Sequence, residues 1–312
     1  MPSHHTRISI LGCGHVGTSC AFALLQTRLV REIVLIGDGP AHVQGEALDL
    51  QQAVPLGSPI TVTAGTYKDA AASAIVIMTV GTPGTFQGSR LDMLAGNTVI
   101  VRSCIAKLMA EGFDGVIIIA TNPVDVLTYI VQKESGLPAT RVIGSGTLLD
   151  TERLRHILGE QLKVDARSVH AAVIGEHGDS SVAVWSAAQV AGLPLSLYPG
   201  AKALPSREAL LIAVRYAGPV VATLKGNTCF AIAACVTRIC EAILRDERAV
   251  LVVSTLMTGQ YGFHNVSLST PCIIGCGGVE SVIELHLNGA EQKALEASAA
   301  ILQRAYAQLQ TA

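Results

Sequence analysis

Charge is scarce in this chain. Asp, Glu, Lys and Arg make up only 15% of its 312 residues, and 22 basic against 24 acidic side chains leave a formal net charge of −2. That balance gives no electrostatic footprint for nucleic acid or for an anionic membrane surface. Long apolar runs are missing too. The hydrophobic stretches are too short or too interrupted to supply the roughly 20 apolar residues of a membrane-spanning helix. Met1 to Thr6 leads straight into the first expected strand, so no signal peptide is expected. Repeats and low-complexity tails are absent. The eight cysteines, at 13, 20, 104, 229, 235, 240, 272 and 276, form neither a CxxC pair nor a zinc pattern. Reduced, mostly buried thiols in a cytoplasmic chain without a metal are the expectation.

What is present is apolar: half of the residues are hydrophobic. The length accommodates one nucleotide domain plus a second domain, with enough apolar surface left for a large core and buried subunit interfaces. Residues 7–11, Arg-Ile-Ser-Ile-Leu, have the character of a short buried strand, and Gly12-Cys13-Gly14-His15-Val16-Gly17 follows at once. An apolar helical run from Thr18 to Leu25 comes next. Strand, glycine turn and helix in this order make a site for a dinucleotide. Gly12 permits the tight turn, Gly14 lets backbone approach a pyrophosphate, and Gly17 lets helix pack on strand. The helix N-terminus then presents free N–H groups to the phosphates. The second strand, 32–36, ends in Gly37-Asp38-Gly39. Asp38 is either the acid that binds the ribose hydroxyls, one residue later than expected, or a turn aspartate. No Lys or Arg follows nearby for a 2′-phosphate, which favours NAD over NADP.

Strands at 60–64, 74–79, 116–120 and 141–143 alternate with helices at 41–53, 91–111 and 123–133. Such alternation predicts an α/β fold: a Rossmann, doubly wound parallel sheet over residues 1–145, which the strand at 141–143 closes. Residues 146–312 are expected to form a C-terminal α+β substrate domain, with helices near 148–159, 206–225, 228–245 and 290–308 and strands near 249–257, 272–274 and 279–285.

Four charged or titratable side chains supply the chemistry. His177 lies in Gly175-Glu176-His177-Gly178-Asp179, Asp150 and Arg153 share a helix face at i and i+3, and Arg90 follows the glycine-rich stretch Gly81–Ser89. A histidine moves protons near neutral pH, a carboxylate fixes its tautomer, and arginines grip a carboxylate or a developing oxyanion. These are the parts needed to reduce the carbonyl of a 2-oxo acid. Singly, each has a plainer explanation: a core histidine, a helix-surface ion pair, a helix-start cation. Gly81–Ser89 has the composition of a loop that closes over a pocket and brings Arg90 in.

The chain resembles the L-lactate/malate dehydrogenase family, and its bacterial L-lactate dehydrogenases above all. The matching pieces are GCGHVG at 12–17, GEALDL at 45–50, SRLDM at 89–93, ATNPVDVLTY at 120–129, RVIGSGTLLDTERLR at 141–155, GEHGD at 175–179, AVLVVS at 249–254 and GQYG at 259–262. The resemblance implies that His177 donates and accepts the proton, Asp150 orients it, Arg153 binds the substrate carboxylate and Arg90 polarises the carbonyl. Asn122 would bond near the reacting carbonyl or cap the helix after Pro123, or both. Thr228 is either a pocket threonine or a packing residue. Gly12, Gly14, His15, Val16, Gly17, Asp38, Thr79, Gly81, Asn97, Ala120, Asn122 and Ser145 would line the NAD site. The resemblance further implies pyruvate and L-lactate, or a related 2-oxo acid, as substrates of a fermentative, glycolytic enzyme, and a homotetramer. A broad or branched-chain L-2-hydroxy-acid dehydrogenase and a non-catalytic NAD-binding structural protein are the alternatives.

Two departures from the family pattern stand out. Gly37 occupies the end of strand two, where the family carries its ribose aspartate. Ungapped counting puts Gly84 at the loop position that selects the substrate. Gly81–Ser89 holds no cation for a second carboxylate, which disfavours malate. Gly84 either widens the pocket for larger 2-oxo acids or serves loop flexibility, and a shifted register would put Gln87 there instead. Arg155 and His170 fall where allosteric relatives bind fructose 1,6-bisphosphate between subunits; the alternative is a surface arginine and a strand-end histidine.

Overall fold

The computed structural model describes residues 6–56, 59–82 and 94–311. Six short strands, β1 (Arg7–Leu11), β2 (Glu32–Ile36), β3 (Thr61–Ala64), β4 (Ile75–Met78), β5 (Val116–Ile119) and β6 (Val142–Gly144), run parallel in the order β3-β2-β1-β4-β5-β6. Helices α1 (His15–Thr27), α2 (Pro40–Ala53), α3 (Tyr67–Ala71), α4 (Leu94–Ala110) and α5 (Val124–Glu134) connect them. The strands are apolar along nearly their whole length because both faces are covered. In β4, Ile75 and Ile77 join a core under α1, while Val76 and Met78 join a second core under α4 and α5. Side chains alternate across a strand, so one apolar run serves both layers. Each fully buried Ile or Leu in these layers contributes about 1.5–3 kcal/mol.

The sheet does not close at β6. Strand β12 (Ala249–Thr258) pairs antiparallel with it through Ser254 and Gly144, and β13 (His264–Gly275) and β14 (Gly278–Val282) extend the sheet to nine strands. Gly144 makes this junction feasible: a Cβ there would lie 2.3 Å from Thr128 Oγ1 and 2.8 Å from Ser254 Cβ. The remaining elements are α6 (Leu148–Leu162), the two-residue strands β7 (Val169–His170), β8 (Val173–Ile174), β9 (Val182–Ala183), β10 (Gln189–Val190) and β11 (Leu193–Pro194), and helices α7 (Arg207–Lys225), α8 (Phe230–Leu244) and α9 (Gly289–Thr311). A third core, with Leu154, Leu158, Val173 and Val214, joins α6 and α7 to the small strands.

Sequence reasoning located the longer helices and missed the five-residue α3 and the small strands. It also saw only the end of β13, which begins eight residues earlier, at His264. The part of β13 that was missed carries Ser267, Ser269 and Thr270, all buried, so polarity masked an interior strand. Seven of the cysteines are buried, Cys276 is exposed, and all eight are free thiols. Among the described residues no helix is long and apolar enough to cross a membrane, and no cluster of His, Cys, Asp or Glu is suited to a metal.

Candidate active site

The parallel strands end at a common edge, where ligands of such sheets bind. Leu11 closes β1, and Gly12 follows with φ +100°, a left-handed conformation open to glycine. A Cβ at Gly12 would sit 2.7 Å from the Val80 backbone nitrogen, and one at Gly17 would sit 1.9 Å from the Gly12 carbonyl oxygen. Turn, helix α1 and β4 therefore meet without room for a side chain. Thr79 locks the turn by donating from Oγ1 to the Gly12 carbonyl at 2.7 Å. Gly14 is the N-cap of α1: it makes no side-chain cap, no acid occupies the first turn, and its Cβ position opens onto free space. Next to it His15 is exposed and Val16 lines the pocket.

Across the crevice, Asn97 accepts from the Thr82 amide at 2.9 Å and donates to the Asn122 carbonyl at 2.7 Å. This holds α4 against the ends of β4 and β5, with Gly81 beside the Asn97 amide. Ala120, Asn122 and Ser145 line one pocket with Val16. Asn122 does not cap α5, whose N-cap is Pro123. Its Oδ1 is buried and has no hydrogen-bond partner among the described residues. Asp38 is exposed just beyond β2. Burial, followed by Cys104 and then the Asp38 charge, raises the Tyr67 phenol, which places Asp38 toward α3 and α4.

These features fit a nicotinamide dinucleotide. The uncapped amides of α1 suit a pyrophosphate. The space over Gly14 admits close approach, and the unpartnered Asn122 oxygen offers an acceptor to a ligand N–H or O–H.

The same pocket contains His177, Arg153 and Thr228. Helix α6 carries Asp150 and Arg153 one turn apart on one face; Arg153 lines the pocket, and Asp150 stands behind it against His177. His177 Nδ1 lies 2.5 Å from Asp150 Oδ2, and Arg153 Nη1 donates to Asp150 Oδ1 at 3.3 Å. The side chains of Asp150, His177 and Arg153 are 6%, 13% and 16% exposed, which removes the surface ion-pair explanation. With Nδ1 facing the carboxylate, Nε2 is the ring nitrogen left to serve a substrate. Thr228 precedes α8, after the helix-ending Gly226. Leu149, Gly218, Pro219, Ala222 and Ile232 make the apolar wall.

Gly84, Gln87 and Arg90 lie outside the described residues. Arg155 donates from Nε to the Ala171 carbonyl at 3.1 Å and from Nη1 to Glu152 at 2.8 Å. His170, the neighbour of Ala171, is exposed.

Sequence reasoning passed over two residues. Arg215 on α7 donates from Nε to Ser181 Oγ at 3.2 Å and from Nη2 to the Ser181 carbonyl at 2.5 Å, tying α7 to the segment after His177. Asp125, only 2% exposed, accepts the His177 backbone N–H at 2.7 Å. An acid among the apolar residues that open α5 was the available signal for Asp125; Arg215 had none.

Residues 6–144 match the model of the lactate/malate dehydrogenase NAD binding domain, and residues 147–311 match that of the alpha/beta C-terminal domain of the same family. An L-lactate dehydrogenase of Priestia megaterium is 41% identical over 301 residues, covering 96% of this chain and 95% of the relative. One from Moorella thermoacetica is 42% identical over 308 residues, 97% of each chain. Among solved structures, a ligand-bound minor L-lactate dehydrogenase from Enterococcus mundtii superposes with a TM-score of 0.93 at 38% identity, covering 98% of both chains. A lactate dehydrogenase from a Medee basin deep-sea metagenome library gives a TM-score of 0.92 at 34% identity, covering 98% of this chain and 99% of its own.

Proposed function

Because the chain belongs to the lactate/malate dehydrogenase family along nearly its whole length, we propose that it is an NAD-dependent L-lactate dehydrogenase that interconverts pyruvate and L-lactate. Residues 1–145 hold the nucleotide in this proposal, and 146–312 supply the substrate domain. The observation that carries it is the shared carboxylate of Asp150, which contacts both His177 and Arg153 inside one pocket beside the glycine turn.

Gly12, Gly14, His15, Val16, Gly17, Thr79, Gly81, Asn97, Ala120, Asn122 and Ser145 would hold the nucleotide, and Asp38 its ribose hydroxyls. When bound there, the reduced nicotinamide supplies the hydride. Arg153 binds the substrate carboxylate through two parallel hydrogen bonds, which fixes the keto group. His177, held by Asp150, gives the proton from Nε2 to the carbonyl oxygen. Arg90 stabilises the charge developing on that oxygen, and Asn122 bonds beside it. In the opposite direction neutral His177 takes the hydroxyl proton.

A second reading, a dehydrogenase of broader or branched-chain 2-oxo acids, is favoured by the apolar wall of Leu149, Gly218, Pro219, Ala222 and Ile232. Comparing kcat/KM for pyruvate, 2-oxobutyrate, 2-oxoisocaproate, phenylpyruvate and oxaloacetate, with NADH and with NADPH, decides between them. Highest efficiency with pyruvate and NADH is expected. NADH binding with no turnover of any acid would overturn the enzyme and leave a structural nucleotide-binding protein.

The proposal extends to a cytoplasmic homotetramer with fructose 1,6-bisphosphate bound between subunits at Arg155 and His170. The adjacency of Arg155 to Ala171 supports that pairing. A bisphosphate that changes neither the pyruvate saturation curve nor oligomer stability would remove it.

A further inference from the structure

We propose that Asp125 is a positioning residue for the reduction: its single buried carboxylate sets the backbone of His177 and, through Ser269, the start of the helix that bears Asp150 and Arg153. The inference rests on the dehydrogenase reading. Asp125 lies in the first turn of α5. One oxygen, Oδ2, accepts the His177 backbone N–H at 2.7 Å. The other, Oδ1, accepts the Ser269 hydroxyl at 3.3 Å. Ser269 Oγ in turn accepts the backbone N–H of Thr147 at 3.0 Å, and Thr147 is the N-cap of α6. The Ser269 backbone also exchanges two hydrogen bonds of 2.9 Å with Gly175. One carboxylate therefore ties together the two segments whose side chains meet at His177 and Asp150.

The partners differ in what they tolerate. The His177 backbone N–H donates only, so Oδ2 must accept. The Ser269 hydroxyl accepts from Thr147 and donates to Oδ1. An ionised carboxylate accepts from both, whereas a protonated carboxyl or an amide that keeps the His177 bond presents a donor to Ser269 and reverses that hydrogen bond, turning the hydroxyl that holds the start of α6.

Burial pushes the Asp125 carboxyl up to about 6, against the His177 N–H, which lowers it. The titratable groups facing it are His177, which favours ionisation, and Glu176, which opposes it. Strand β12 presents the hydroxyl of Ser254, β13 that of Ser269, and α9 the ring of Tyr306 across a small cavity. The ionised form is thus lost as pH falls through about 6. An acid-side decline in reduction that disappears in Asp125→Asn therefore reports Asp125.

The test measures the pH dependence of kcat for pyruvate reduction at saturating NADH, with NADH affinity read separately by fluorescence. The intact enzyme is expected to lose kcat as pH drops through about 6. Asp125→Asn is expected to lose about tenfold or more in kcat at neutral pH, to bind NADH as before, and to show no such acid decline. An Asp125→Asn enzyme with unchanged kcat, or with the acid decline intact, would overturn the proposal. If that variant does not fold, Ser269→Ala decides: it removes the acceptor of the Thr147 N–H together with the donor to Asp125, so a raised KM for pyruvate supports the proposal and unchanged constants overturn it. Absence of turnover in the unaltered protein would instead sink the dehydrogenase reading.

Discussion

Asp150 Oδ2 stands 2.5 Å from His177 Nδ1, with both side chains largely shielded from water. The contact fixes one face of the imidazole and leaves the other for the substrate. Asp150→Asn keeps the shape but offers an amide where a carboxylate stood, so the imidazolium loses its counter-charge. A drop in kcat on the order of 10²–10⁴ is expected, with NADH affinity unchanged. Steady-state kinetics beside a fluorescence titration read both quantities, and an undiminished kcat would remove Asp150 from the mechanism.

Arg153 shares that carboxylate through Nη1 at 3.3 Å. Lysine at this position supplies charge without the planar fork. Arg153→Lys should therefore raise KM for pyruvate by about 10–100-fold, equivalent to ~1.5–3 kcal/mol for one charged hydrogen bond. An equal loss for a neutral carbonyl substrate lacking the carboxylate would show that Arg153 does not bind that group.

Much of this arrangement is legible locally. Gly12, Gly14 and Gly17 stand between a strand and a helix, and Asp150 and Arg153 are spaced for one helix face. What joins them is not local. The Asp125–His177 bond spans 52 positions and the Asp125–Ser269 bond 144, and no periodicity encodes either. The continuation of the sheet through β12 was hidden for a related reason. Ser254 and Gly144 mark the junction, and neither residue has the β-branched or aromatic character of a strand centre.

Asn97 reaches both the Thr82 amide and the Asn122 carbonyl, and is 4% exposed. Asn97→Ala takes the partner from the Thr82 N–H and from the Asn122 carbonyl, both in part-buried hydrogen bonds, and removes a buried side chain. A loss of about 1–3 kcal/mol in stability is expected. Chemical denaturation measures it, and NADH should restore part of the loss by binding the folded form.

Gly17 and Gly14 sit three residues apart in the same turn, yet their substitutions should separate folding from binding. A Cβ at Gly17 meets the Gly12 carbonyl oxygen at 1.9 Å and Thr79 Oγ1 at 2.8 Å. Backbone has to move, so Gly17→Ala is expected to cost about 1–3 kcal/mol of stability and to weaken NADH binding by displacing the start of α1. At Gly14 the added carbon meets no protein atom within 4 Å, and the residue's φ of −82° suits alanine. Gly14→Ala should therefore fold as before, with its methyl group standing in the approach of the pyrophosphate. Paired thermal melts and fluorescence titrations distinguish the two. Unaltered NADH affinity in Gly14→Ala would mean that the dinucleotide does not lie against this turn.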